Sequence, residues 1–249
     1  MTKIDLDYII QQYRSGIDNY TFATTEVGLW ESEQYVFNRY LKSSDCILDV
    51  GCGTGRTTYA LHHLGFNQLT AIDLTPEMIE AAQALSAHFG VELDFRLGDA
   101  TALDFPAASF HSVIFSFNGL MSIPAQERRD QALREIWRVL KPGGYFLFTT
   151  HDRDKDENYL AFWQEQAQKW EAGQRDERLF QFGDLVTTSK NEEREIYIHI
   201  PSRMEVWSWL RRHAFEVVET FYRSDRFTER EAVRKVSGEC RFWVARKGR

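Results

Sequence analysis

The sequence predicts a doubly wound α/β fold on a mostly parallel, seven-stranded sheet, and three observations carry that reading. Short apolar runs alternate with amphipathic segments from residue 45 to residue 150, which is the rhythm of successive βαβ units. Most of these runs lack the in–out alternation of a half-exposed strand, so they suit strands covered on both faces. The first ends in Asp49-Val50-Gly51-Cys52-Gly53-Thr54-Gly55. Glycines at alternate positions between a strand and a helix let the backbone turn sharply and let a ligand lie against it.

Taken in order, the first 43 residues read as two helices punctuated by Gly16 and Gly28. Cys46–Val50 is the first strand and Arg56–Leu64 the helix after it. Gln68–Asp73 is the second strand, and Thr75-Pro76 starts the next helix with Thr75 as N-cap and Pro76 in its first turn. Val91–Leu97 and Phe110–Phe117 follow as strands. Ala125–Leu140 is a helix with Leu133, Ile136, Trp137 and Leu140 on one stripe, stopped by Lys141-Pro142-Gly143-Gly144. Tyr145–Thr150 is the fifth strand.

About 60 residues then precede the next strand, Phe215–Phe221, far more than a simple crossover needs. They read as an inserted cap: a polar helix with Phe162, Trp163, Ala167 and Trp170, then a hairpin. The hairpin's arms are Arg178–Thr188 and Arg194–Ile200, around Ser189-Lys190-Asn191-Glu192. His199, Trp207 and Trp209 are assigned to the cap core. Ser202–His213 is a helix capped by Ser202, and Cys240–Ala245 closes the sheet. The expected organisation is an N-terminal helical lid (1–43), a ligand-binding core (44–152), the cap (153–200) and a C-terminal completion of the sheet (201–249).

Composition limits the function classes. The chain has 249 residues, 43% hydrophobic and 27% charged, with a formal charge of −7. These are values of an ordinary globular protein, not of a disordered chain or a small disulfide scaffold. An acidic chain does not suit a protein that coats nucleic acid. The charge is uneven, however: residues 201–249 carry a local +5, and 22 of the 30 basic residues are arginine. Three cysteines, Cys46, Cys52 and Cys240, show no CxxC or Cys/His metal spacing. The first residues are too polar for a signal peptide and no run is long enough to span a membrane, so a reducing cytoplasm is the expected compartment.

Asp73 ends the second strand, 22 residues after Gly51. An acidic side chain at that point accepts hydrogen bonds from ribose hydroxyls, which implies a nucleoside-containing ligand. The loop reads GxGxG rather than the GxGxxG that receives a dinucleotide pyrophosphate. The acidic Asp49 before it suits an ammonium or sulfonium better than a phosphate. A nicotinamide dehydrogenase is disfavoured on both counts.

At this point the chain resembles the class I S-adenosylmethionine-dependent methyltransferases. The resemblance covers about residues 45–152 through ILDVGCGTG (47–55), AIDLTPEMIEAA (71–82), GDATALDFPAASFHSVIFS (98–116) and LKPGGYFLFTT (140–150), in family order. PSRMEVWSWLRRHAFEVVE (201–219) is similar to the family's helix-turn-strand near the C-terminus. The resemblance implies a Rossmann-like fold and S-adenosylmethionine as methyl donor, with no metal. It places the backbone of Gly51, Cys52 and Gly53 against the methionine portion and Asp49 near its amino group. Asp73 takes the ribose, Leu74 and Met78 touch the adenine face, Asp99 and the Ala100 amide meet the adenine edge, and Ser116 closes over the methionine portion. For Leu74 and Met78 plain core packing is the competing reading, and for Asp99 a local turn cap.

The implied reaction is in-line methyl transfer, in which the protein mainly aligns, desolvates and sometimes supplies a base. His151, at the carboxyl end of the fifth strand, Asn118 and Tyr20 are the catalytic candidates, each with a structural alternative. Tyr13, Tyr20 and Trp30 are expected either in a lid over the donor or in the helical core. The region after the fourth strand reads Ser116-Phe117-Asn118-Gly119-Leu120 and lacks the Asn/Asp-Pro-Pro-Tyr/Phe element of members that methylate amides or nucleobase amines. That absence and the net charge favour a small-molecule acceptor. Arg223, Arg226, Arg230, Arg234 and Arg241 keep an anionic acceptor or a transfer RNA as the alternative, against a solvated surface that balances the acidic body, and a donor-binding protein without turnover is a third.

Overall fold

A computed structural model describes residues 3–155, 157–188 and 195–248. The N-terminal segment forms α1 (Leu6–Arg14), α2 (Ile17–Phe22), a π-helical turn (Ala23–Val27) and α3 (Glu31–Tyr40), one helix more than the glycine spacing predicts. Gly16 is the N-cap of α2, and Gly28 ends the π turn. There follow β1 (Ile47–Val50), α4 (Arg56–His63), β2 (Leu69–Asp73), α5 (Pro76–Phe89), β3 (Asp94–Leu97), β4 (Phe110–Phe115), α6 (Gln126–Val139) and β5 (Leu140–Thr150). β3 is shorter than the apolar run because Val91 and Leu93 pack against the Tyr59–Phe95 cluster instead of joining the ladder. β5 begins at Leu140, earlier than expected. Leu140 pairs with Phe110, and the register shifts before Ser112 pairs with Tyr145, so the Pro-Gly-Gly stretch is absorbed as an irregularity within the strand.

The chain continues through α7 (Glu157–Glu171), β6 (Asp184–Thr188), β7 (Glu195–His199), α8 (Arg203–Arg212), β8 (Phe215–Tyr222), α9 (Arg223–Arg226), α10 (Glu231–Val236) and β9 (Arg241–Lys247). The main sheet has the order β3-β2-β1-β4-β5-β9-β8, and β6 and β7 form a separate antiparallel pair. β1 to β5 run parallel, and β9 pairs antiparallel with both β5 and β8. The first arm of the hairpin starts at Asp184 rather than Arg178, because the preceding loop serves the N-terminus: the Ile4 N–H donates to the Arg178 carbonyl. The expected turn, Ser189-Lys190-Asn191-Glu192, and Arg194 lie outside the described residues.

Both faces of the sheet are covered. α6 and α8 cover one face through Leu133, Ile136, Val206, Trp209 and Leu210. α3 and the C-terminal elements cover the other through Trp30, Val36, Phe37 and Val233. The buried stripe of α8 is Val206, Trp209 and Leu210, so Trp207 falls off it and is exposed. That corrects its assignment to the cap core and follows from helical phase. His199 is fully buried: Nδ1 lies 2.7 Å from Asp184 Oδ1, and Nε2 lies 3.0 Å from Glu205 Oε1. These contacts bind the hairpin to the N-terminus of α8.

Two polar connections fix the N-terminal segment over the sheet. Gln12, buried on α1, accepts from the Tyr197 N–H and donates to the Tyr197 carbonyl, using its amide as a neighbouring strand would. Arg56, in the first turn of α4, donates two bonds of 2.6 Å to Glu33 on α3 and one of 2.9 Å to the Gly28 carbonyl. Trp30 lies between Arg56 and Arg223, each guanidinium 5.0 Å from its ring. Glu33 and Arg56 are both buried, so loss of one partner strands a charge. Glu33→Gln is therefore expected to lower the unfolding free energy by about 3–5 kcal/mol, seen as a lower urea midpoint. A change below about 1 kcal/mol would mean that this pair does not hold the segment.

Candidate active site

The order of the parallel strands reverses between β1 and β4, and the loops leaving their carboxyl ends diverge there to open a crevice. The glycine loop forms its floor. Gly51 has a φ of 63°, and a Cβ on it would lie 2.6 Å from Phe115 Cε2, so a glycine is required for both conformation and space. Cys52 is buried against the pocket, and burial pushes its thiol well up. Asp49, at the end of β1, is almost fully buried and accepts from Thr58 Oγ1 at 2.7 Å. Burial pushes its carboxyl up to about 7, against the Thr58 bond and the nearby Arg56 charge.

Asp73 ends β2 and bridges two loops. One oxygen accepts the Gly53 N–H at 2.8 Å, and the other accepts the Thr75 N–H at 2.9 Å. Burial raises its pKa, and the backbone donors act in the opposite direction. Thr75 holds the N-cap position of α5 without a side-chain capping bond, its own N–H being directed to Asp73. Leu74 lines the pocket beside them. Met78 does not: it is fully buried on the core face of α5 with Ile79 and Ala82. The expected adenine contact from Met78 is thereby corrected, because the helix turns that position inward.

After β3, Asp99 and Ala100 stand in the pocket wall. Asp99 also caps its local turn, accepting from the Thr101 N–H and hydroxyl, and it meets Arg128 at 3.0 Å. The turn-cap reading of Asp99 describes these bonds, made from the wall of the pocket. Ser116 lines the same pocket after β4. Phe117 and Asn118 then adopt left-handed conformations, φ 54° and 64°. Such conformations in non-glycine residues cost about 1–3 kcal/mol each and concentrate at functional sites. Thr149 on β5 supports the bend by accepting the Asn118 N–H at 2.9 Å.

The roof comes from outside the parallel core. Leu6, Ile9, Tyr13, Tyr20 and Thr24 of the N-terminal segment line the crevice, and the Thr24 and Thr54 hydroxyls meet at 2.7 Å. Trp30 is not part of this roof; it is fully buried between its two arginines. A second cavity shares Tyr13, Tyr20, Phe117 and Ser122 with the first and adds Gln12, Asn118, His151 and the hairpin residues Ile196 and Ile198. The three catalytic candidates thus line one cavity. Tyr13 and Ser122 hydrogen-bond through their hydroxyls in the shared wall. Sequence reasoning missed Gln12, Ser122, Ile196, Ile198 and Arg128, since no motif marks residues that reach the site only through tertiary docking. Among the described residues no group of three or more His, Cys, Asp or Glu side chains is placed to hold a metal ion.

Comparison with known proteins agrees with this geometry. Residues 47–144 match the family model described as "Methyltransferase domain". The chain is 38% identical over 106 residues to a ubiquinone/menaquinone biosynthesis C-methyltransferase of Rhodopseudomonas palustris, covering 41% of this chain and 40% of that protein. It is 31% identical over 157 residues to the mouse (Mus musculus) EEF1A lysine methyltransferase 4, covering 58% and 60%. Among solved structures, a SAM-dependent methyltransferase of Methanosarcina mazei superposes with a TM-score of 0.70 at 22% identity, over 89% of this chain and 99% of that one. The [4+2]-cyclase SpnF superposes with a TM-score of 0.69 at 20% identity, over 100% and 98%. These two structural likenesses speak to the fold. The chain spans about 40 to 60% of the length of the two curated relatives. Residues 47–144 thus carry a methyltransferase domain, and the fold is the one shared with the SAM-dependent methyltransferase of Methanosarcina mazei.

The glycine floor has a direct test. Gly51→Ala adds a methyl group against the Phe115 ring at a positive φ. It is expected to destabilise the fold by about 1–3 kcal/mol in urea unfolding. An unchanged midpoint would mean that the loop has room this packing denies it.

Proposed function

We propose that this protein is an S-adenosylmethionine-dependent methyltransferase that methylates a small-molecule acceptor by in-line displacement. The observation that carries the reading is the pair Asp49 and Asp73 flanking the glycine loop at the switch point of the sheet. The donor group fits these residues. A nearly buried carboxyl held near neutrality suits a ligand cation, and a partly exposed carboxylate on two backbone amides suits vicinal hydroxyls. In this reading Gly51, Cys52 and Gly53 pack against the methionine portion, and Asp49 faces its ammonium. Asp73 takes the ribose, Leu74 packs on the adenine, Asp99 and Ala100 meet its edge, and Ser116 closes the methionine side. When bound, S-adenosylmethionine supplies an already activated methyl group, which leaves the protein to align the acceptor and exclude water.

The acceptor side is argued from enclosure and charge. We take residues 1–43 as a lid and 153–200 as a cap, together roofing the crevice through the Gln12–Tyr197 junction. The C-terminal arginines are largely committed within the protein. Arg223 donates to Ser237 and Gly238, Arg230 to the Val27 and Leu29 carbonyls, and Arg241 to Asp152, while Arg226 pairs with Glu219. Guanidiniums so engaged are poorly placed to meet phosphates, which supports a small molecule over transfer RNA. The lysine methyltransferase among the relatives makes a protein acceptor the second reading. The three thiols, free in this fold, fit a reducing cytoplasm.

Titration calorimetry with S-adenosylhomocysteine tests the donor reading. Binding to the wild type is expected, weakened about 10- to 100-fold by Asp73→Ala through loss of charged hydrogen bonds. Absent binding, or equal binding by the variant, would refute it. The raised Asp49 carboxyl adds a pH signature. Free protein holds that proton below about pH 7, whereas a bound cation favours the ionised form. Binding should therefore release a proton, and affinity should rise with pH up to about 7 and then level. Binding heats in two buffers of different ionisation enthalpy measure this release. Adenosine, which lacks the ammonium, should release none; equal release by both ligands would contradict the role of Asp49.

A further inference from the structure

The cavity beside the donor crevice has a chemical polarity of its own. His151 Nδ1 lies 2.7 Å from the Glu239 carbonyl oxygen. A carbonyl only accepts, so Nδ1 carries the ring proton and Nε2 presents its lone pair. Nε2 lies 3.4 Å from Asn118 Nδ2, and the amide must therefore turn its NH2 toward the ring. That orientation leaves Asn118 Oδ1, which is buried and has no hydrogen-bond partner. An orphaned buried oxygen costs about 1–3 kcal/mol; this one stands on a residue already held at φ 64°. In the free protein the Nε2 lone pair takes this long bond from Asn118, which an incoming O–H or N–H must displace, and Asn118 Oδ1 stands beside it as a second acceptor. Burial lowers the His151 pKa, outweighing the Glu239 bond that raises it, and Arg223 lowers it further.

Of the other lining residues Gln12 is engaged with Tyr197 and Ser122 with Tyr13, and the remainder is aromatic or aliphatic. Tyr20 and Phe117 lie edge to face at 6.2 Å, and Ile196 and Ile198 oppose them from the hairpin. The cavity measures about 120 Å³, close to the roughly 150 Å³ cavity known to hold a benzene ring. The space takes about one flat ring.

We propose that His151 is the general base of this site, and that the acceptor is a flat, ring-sized compound with an O–H or N–H directed at His151 Nε2 and Asn118 Oδ1. The inference rests on the donor reading above. The acceptor's proton passes to Nε2 as its lone pair forms the bond to the methyl carbon. The carbon–sulfur bond breaks with its electron pair going to sulfur, and the imidazolium later releases the proton to water. No oxidant, reductant or metal enters this balance. Asn118 holds the protic group by accepting from a second N–H or O–H, or from the same one before transfer.

The test keeps the two readings apart. S-adenosylhomocysteine should bind wild type and His151→Gln with equal affinity, because His151 is outside the donor crevice; no binding to the wild type would sink the donor reading instead. Nitrogen NMR of the histidine rings should show His151 as the neutral Nδ1–H tautomer at neutral pH. An Nε2–H tautomer or an imidazolium overturns the proposal without any ligand. With S-adenosylhomocysteine present, para-nitrophenol is the acceptor probe. Wild type should bind it and shift its absorption toward the phenolate, while His151→Gln should lose the shift and at least tenfold in affinity. Asn118→Gly, which keeps the left-handed backbone, should also bind at least tenfold more weakly. No binding to wild type, or identical spectra and affinities in all three proteins, overturns the assignment. Once an acceptor is turned over, His151→Gln should slow transfer about 10²- to 10⁴-fold.

Discussion

The carboxylate of Asp73 joins two loops that leave adjacent strands, and the crevice takes its shape from that junction. With one oxygen on the Gly53 N–H and the other on the Thr75 N–H, it draws the glycine loop toward the start of α5. It also accepts from backbone N–H groups that would otherwise lack a partner. Phe115 closes the other side, so near Gly51 and Gly119 that a Cβ on either would collide with its ring. The floor is thus defined by packing on one side and a charge-assisted clamp on the other. Asp49 stands behind this floor in surroundings dry enough to hold its proton near neutrality.

Elements with little intrinsic claim to the site complete it. α1 reaches the hairpin through Gln12 and an apolar cluster of Ile4, Ile9, Leu179 and Tyr197. α3 is secured to α4 by the Arg56–Glu33 pair, and the carboxylate of Glu229 accepts the Glu31 and Ser32 N–H groups at the N-terminus of α3. These contacts join residues far apart in sequence, which makes the roof a product of the finished fold. A roof held by a few polar junctions is the part of such a structure best able to open for ligand exchange.

The parallel core was legible because its signals are local: apolar runs, glycines between strand and helix, and Pro76 at a helix start. The residues proposed for the donor side were legible for the same reason, since Asp49, Asp73, Asp99 and Ser116 each sit at or just after a strand's carboxyl end. Errors fell where tertiary packing decides. Met78 and Trp207 were misplaced by helical phase, while of the two places open to Trp30, lid or core, its two arginines decide for the core. The wall of the second cavity was legible only in part. His151, Asn118 and Tyr20 stood out as polar residues near strand ends or in a lid, whereas Gln12, Ile196 and Ile198 reach the cavity through the docking of α1 and the hairpin. The arginine-rich tail could not be assigned from sequence alone, because the partners that engage Arg223, Arg230 and Arg241 are set by the fold.

The most direct measurement is a crystal structure with S-adenosylhomocysteine. Ribose hydroxyls are expected on Asp73, the amino-acid portion along Gly51 to Gly53 beside Asp49, and the sulfur facing the cavity that holds Asn118 and His151. A ligand seated elsewhere, or a sulfur turned away from that cavity, would contradict this placement.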